Sequence, residues 1–178
     1  MSSARLFFAL WPDAAVRAAV QSSCQAVMAS CGGRAVSPRN YHLTLAFLGS
    51  VEPADWAGVR AAAEQVTVPP LTLVLDRVGY FPGSQVLWVG PAQVPAGLLW
   101  LVDELWRVLA PLGLRPPAQA FNPHLTLCRK IRQPPAQIAV PAASWQARGF
   151  ALLRSVTGSA GAEYLVDQCF PAGSSIEP

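Results

Sequence analysis

Tyr41-His42-Leu43-Thr44-Leu45-Ala46-Phe47 and Pro123-His124-Leu125-Thr126-Leu127-Cys128-Arg129 are one pattern written twice. The chain has two histidines, 82 residues apart, and each is followed by Leu-Thr-Leu. Alternating polar and apolar residues have the period of a half-buried strand, so His and Thr share one face and the leucines the other. A fold organised around this pattern brings the two polar faces together.

Outward from these strands, the elements also recur. Residues 5–11 read as an apolar strand, and Pro12-Asp13 predicts a helix with an acid in its first turn, striped by Val16, Val20, Val27 and Met28 and stopped by Gly32-Gly33. The first His strand ends at Gly49, and Pro53 with Asp55 opens a second helix carrying Trp56, Val59, Ala63 and Val66, closed by Pro69-Pro70. Residues 71–80 and 86–90 read as a hairpin about Phe81-Pro82-Gly83-Ser84. A third helix over 95–112 packs through Leu98, Leu101, Leu105, Val108 and Leu112, and Trp56 and Trp100 also read as packing residues. After the second His strand, 150–156 and 163–170 form another strand pair about Gly158-Ser159-Ala160-Gly161, and the tail frays from Ala172. Leu75, Val78 and Leu87 then correspond to Leu153, Val156 and Leu165. Pro134-Pro135 and Pro141 predict that the second helix is short or missing in the second copy.

The 178 residues suit one domain or two intimate lobes, and 52% hydrophobic against 13% charged residues predicts a stable core. A net charge of +3 without basic runs suits a local phosphate site better than a grip on a long duplex. Cys24, Cys31, Cys128 and Cys169 have no zinc-ligand spacing and read as reduced thiols. The apolar start is cut short by Pro12-Asp13, too early for a signal peptide or a membrane span. The expectation is a soluble cytoplasmic protein, a monomer with no protein partner, no membrane and no cofactor.

Two imidazoles facing each other across a cleft suit concerted acid–base work, because near neutral pH one ring can accept a proton while the other donates one. Thr44 and Thr126, facing the same way, can donate hydroxyl hydrogen bonds to an anion between them, and phosphate is the natural candidate. An isolated His-x-Thr is usually a satisfied structural pair. Recurrence of the tetrapeptide around every histidine in the chain argues for function instead. A metal site is disfavoured, since no Cys, Asp or Glu has ligand spacing to either histidine.

On residues 5–10, His42 to Gly49, and Phe121-Asn122-Pro123-His124-Leu125-Thr126-Leu127 with Arg129, the chain resembles the two-histidine phosphoesterases almost end to end. Within them it is similar to the RNA 2′,3′-cyclic phosphodiesterases, also called LigT, ThpR or 2′-5′ RNA ligase. The resemblance implies an α+β, duplicated bilobal fold over residues 1–178, with two antiparallel sheets facing a central cleft and helices on the outer faces. It implies metal-free hydrolysis of an RNA or nucleoside 2′,3′-cyclic phosphate to a 2′-phosphate. His42 is similar to the family's proton donor and His124 to its proton acceptor, although the residues themselves do not order the pair. Thr44 and Thr126 match phosphate-binding threonines and Arg129 a charge-neutralising residue. Strand parity turns Arg129 away from His124 and Lys130 towards it, so a bulge or the strand's end has to re-aim the arginine. Phe8, Phe121 and Tyr41 lie where a terminal base could stack, with any one of them more often a core residue. Rival readings are 2′-5′ ligation by the reverse reaction, a non-catalytic nucleotide- or RNA-binding module, and the same chemistry on a small cyclic phosphate.

Overall fold

The computed structural model describes residues 4–68, 70–136, 138–158 and 161–171. The tail from Ala172, Pro69 of the helix stop and Ser159-Ala160 of the last turn lie outside the described residues.

Strand β1 (Ala4–Leu10) leads into α1 (Ala14–Cys31), whose start is set by Asp13: its carboxylate accepts the Val16 N–H at 2.9 Å. Asp13 thus caps the helix rather than entering its first turn, satisfying one of the amides that a helix start leaves open. Val16, Val20, Cys24, Val27 and Cys31 make its buried stripe, and Gly32 ends it at φ 64°. There follow β2 (Arg34–Ala35), β3 (Leu43–Val51), α2 (Trp56–Ala63), the hairpin β4 (Leu71–Phe81) and β5 (Val86–Gly90), α3 (Ala96–Leu109), β6 (Leu125–Arg129), β7 (Ala139–Ala147), β8 (Gly149–Gly158) and β9 (Gly161–Pro171).

The strands run in the order β7-β4-β5-β6-β3-β1-β8-β9, with β2 paired to β6, and every pairing is antiparallel. At the centre, β3 and β6 meet through one residue pair, Leu43 with Leu125. The α+β fold is therefore present, with its two antiparallel sheets fused into one at that pair. β4 to β7 make one half from a continuous stretch, whereas the other half takes β1 and β3 from one end of the chain and β8 and β9 from the other.

Helix α1 packs over β7 and β5, and α3 over β3 and against α2. Leu6, Phe8, Leu10, Leu43, Leu87, Leu98, Leu101, Leu105 and Leu125 lie fully buried in the resulting core. Each contributes about 1.5–3 kcal/mol of burial. A smaller cluster of Phe7, Ala9, Ala151 and Leu153, with Trp11 and Tyr164 against it, occupies the opposite face of β1 and β8. Among the described residues no helix is long and apolar enough to cross a membrane.

Four expectations change. α3 stops at Leu109 and a tighter 3₁₀ turn over Ala110–Leu112 swings Leu112 out of the stripe, leaving it 46% exposed. Trp100 is exposed rather than packed. The second copy of α2 is missing among the described residues, as its prolines predict, and β7 stands there instead, an edge strand paired only with β4; its Pro141 falls in the ladder's irregularity between Leu75 and Arg77, where a missing N–H is tolerated. Leu87 does not correspond to Leu165, because β5 is internal and β9 an edge. Nor do Leu75 and Leu153 match, since one joins the helix-side core and the other the opposite face.

Candidate active site

The Leu43–Leu125 pair places the histidines. Both leucines are fully buried, so the residues on either side of them point to the open face. Continuing the antiparallel register by one residue each way sets His42 across from Thr126 and Thr44 across from His124. Each histidine thus faces the other strand's threonine. The cavities agree: one, of about 410 Å³, is lined by His42 and Thr126, and another, of about 800 Å³, by His124 and Thr44.

Both rings are held alike. His42 Nδ1 lies 2.7 Å from the Asn40 carbonyl oxygen, and His124 Nδ1 lies 2.8 Å from that of Asn122. A carbonyl only accepts, so each Nδ1 donates its proton and the lone pair of the neutral ring sits on Nε2. Burial pushes His42 down to about 4, against the favourable Asn40 hydrogen bond and with further lowering from His124 and Arg129. Burial likewise lowers His124, with Arg129 adding to it. Both rings are neutral near pH 7, and both feel the same guanidinium.

Arg129 reaches the site by the device its parity required. On β6, Cys128 pairs with Leu87 and Thr126 with Trp88, so Leu127 is an extra, unpaired residue. This bulge buries Leu127 and Cys128 in succession and returns Arg129 to the face of Thr126. Arg129 and Lys130 both line the smaller cavity. Lys130 takes φ 54°, and Gly33 packs under this turn; a Cβ there would come within 2.8 Å of the Arg129 oxygen and the Ile131 Cα. The turn is held from below by a contact only glycine permits.

Phe8 is a correction. It is fully buried against Phe150 and Phe170 and cannot stack a base. Its neighbour Phe7, on the other face of β1, lies 5.1 Å from the His42 ring. Tyr41 is likewise a buried core residue, with its phenol pushed up to about 12 by burial. Phe121 is beside the site, lining the larger cavity with Phe47, Phe81 and Trp106.

Other residues join the site without a local sequence signal. Tyr164 meets His42 edge-on at 4.7 Å and Trp11 stacks on it at 6.1 Å, while Phe81 meets His124 at 5.0 Å. Arg34 arrives through the pairing of β2 with β6. Asn40 and Asn122 could have been noticed, for each precedes its histidine by two residues in both copies. Among the described residues no group of three or more His, Cys, Asp or Glu is placed to hold a metal.

Residues 11–158 match the model of the 2′-5′ RNA ligase superfamily. The chain belongs to that family. Within it, the chain is 34% identical to an RNA 2′,3′-cyclic phosphodiesterase of Escherichia coli K12 over 141 residues, covering 79% of this chain and 80% of that one. The crystal structure of E. coli LigT in apo form superposes with a TM-score of 0.88 at 30% identity, covering 98% of this chain and 100% of the other. E. coli LigT complexed with 3′-AMP gives 0.83 at 29% identity, over 97% of this chain and 99% of that one. These likenesses run across both halves of the sheet, so the crossed histidines of this family member lie inside the matched region.

Proposed function

We propose that this protein hydrolyses the 2′,3′-cyclic phosphate of an RNA end or nucleotide to a 2′-phosphate, by acid–base catalysis between His42 and His124. The crossed arrangement of His42 with Thr126 and His124 with Thr44, with Arg129 re-aimed beside them, carries this reading. It is supported by family relatives named RNA 2′,3′-cyclic phosphodiesterase. The phosphoryl group sits between the rings. Thr44 and Thr126 donate hydroxyl hydrogen bonds to its oxygens, and Arg129 neutralises the charge that builds on them. His124 Nε2 takes a proton from water as the water oxygen bonds to phosphorus. The bond from phosphorus to the 3′ oxygen breaks, and His42 gives that oxygen its proton. The bound anion favours the imidazolium that His42 needs, opposing the burial that holds the free ring neutral.

The base stacks in the aromatic cavity, where Phe121, Phe47 and Phe81 offer ring faces. One chain supplies both histidines, so a single copy completes the cleft, and its four free cysteines suit the reducing cytoplasm. His42→Ala and His124→Ala should each lower kcat on a cyclic-phosphate-ended oligonucleotide by about 10²–10⁴-fold without shifting the thermal melt. Tight binding by the native protein without turnover would identify a binding module instead.

A further inference from the structure

The larger, ring-lined cavity carries a single carboxylate. Asp103 lines it together with Val102, Trp106, Phe121 and His124, and no other Asp or Glu lines either cavity of the cleft. A negative charge in a cleft that takes a phosphate repels its own ligand. Its presence there points to a partner that is neutral and donates hydrogen bonds.

Helix α3 leaves this carboxylate available. Leu98, Leu101, Val102, Leu105 and Val108 turn the helix's apolar side to the core, and Asp103 stands exposed between Val102 and Trp106, the two residues that line the cavity from the same helix. Arg107, four residues on, is spaced to pair with Asp103. It pairs instead with Glu104, whose Oε2 accepts from Nε and meets Nη2, each at 2.8 Å. Among the described residues no hydrogen bond or ion pair engages the Asp103 carboxylate. Gln119, on the loop between α3 and β6, lines the same cavity, and its side-chain amide likewise has no partner among the described residues.

These two groups suit one base. A carboxylate only accepts, and an amide N–H donates. The pairing edge of guanine sets N1–H and N2–H side by side, two donors that one carboxylate takes together, and next to them O6, which an amide can serve. Adenine and cytosine offer an amine beside a ring lone pair, and uracil one N–H between two carbonyls, so none of them has two adjacent donors. Ring faces hold any base, and the edge contacts decide which.

We propose that Asp103, with Gln119, reads the pairing edge of the terminal base and selects guanine. Base selection at this cavity rests on the cyclic phosphodiesterase reading above and narrows its substrate to ends that carry guanosine 2′,3′-cyclic phosphate.

The test measures kcat and KM for the 2′,3′-cyclic phosphates of guanosine, inosine, adenosine and uridine with the native protein, Asp103→Ala and Asp103→Asn. The native kcat/KM should favour guanosine over adenosine by about tenfold or more, mainly through KM, because the hydrogen bonds to the carboxylate are charge-assisted. Inosine, which lacks only the N2 amine, should fall between them. Both variants should collapse the ratio towards one, and an exposed helix position lets them fold. Gln119→Ala should narrow it. If Asp103 acts on the anion by its charge alone, its removal moves all four compounds alike, and that result overturns the proposal. Equal native values, a native preference for another base, or a guanosine preference that the Asp103 variants retain also overturns it, and each of these leaves the phosphodiesterase reading standing. Turnover of none of the four compounds by the native protein overturns both.

Discussion

Phe47 and Arg129 stand at matching places, five residues after His42 and five after His124. Each follows the same backbone device. On β3, Thr44 pairs with Ala9 and Ala46 with Phe8, leaving Leu45 unpaired, just as Leu127 is unpaired on β6. Both bulges bury two residues in succession and return the fifth to the open face. One side then presents an exposed aromatic ring in the larger cavity, the other a guanidinium in the smaller. The backbone that builds the cleft is used twice, while the fifth residue differs: a guanidinium lines the cavity of His42 and a phenyl ring the cavity of His124.

The comparison breaks most severely at the seam the two copies share. Leu43→Ala removes a fully buried side chain from the single residue pair joining β3 to β6, and should cost about 2–5 kcal/mol in denaturant unfolding. Phe47→Ala, at a 54% exposed site, should cost far less stability. On catalysis the two copies differ. Arg129→Met should lower kcat by about 10²–10³-fold if, as proposed, its charge meets the one that develops on the phosphoryl oxygens in the transition state. Phe47→Ala should act through KM, by roughly tenfold, as loss of a stacking face does. A large kcat loss at Phe47 with a KM effect at Arg129 would reverse the division of labour.

The smallest expected effect is on pH dependence. Burial and Arg129 depress both imidazoles in the free protein, His42 to about 4. The acid must be protonated, so activity falls as pH rises through its pKa; the base must be neutral, so activity falls as pH drops through its own. The kcat/KM profile, which reports the free protein, should therefore peak on the acid side of pH 6.5. Arg129→Met relieves one of the lowering influences on both rings and should move both limbs upward. Limbs that stay in place in that variant would separate Arg129 electrostatically from the pair.

Much of this was legible in the chain because it is local. The His-Leu-Thr-Leu period fixes which side chains face the cleft, and the parity conflict at Arg129 foretold its bulge. Phe8 went wrong for the same local reason in reverse: nothing in Leu6-Phe7-Phe8-Ala9 says which phenylalanine faces the core until β1 has neighbours. Arg34 and Tyr164 were out of reach, since β2 and β9 come to the site only through long-range pairing. β7 was hidden by Pro141, which reads as a strand breaker and is tolerated only because that strand lies at the sheet's edge.

In the proposed reaction two crossed imidazoles, unaided by a metal, open a cyclic phosphate towards the 2′ product. Its most direct measurement is ³¹P NMR of a 2′,3′-cyclic-phosphate-ended RNA incubated with the protein in excess EDTA. A 2′-phosphate should form at the chelator-free rate with the native protein, and the cyclic ester should stay intact with His124→Ala. A 3′-phosphate product, a rate abolished by the chelator, or normal turnover by His124→Ala would contradict it.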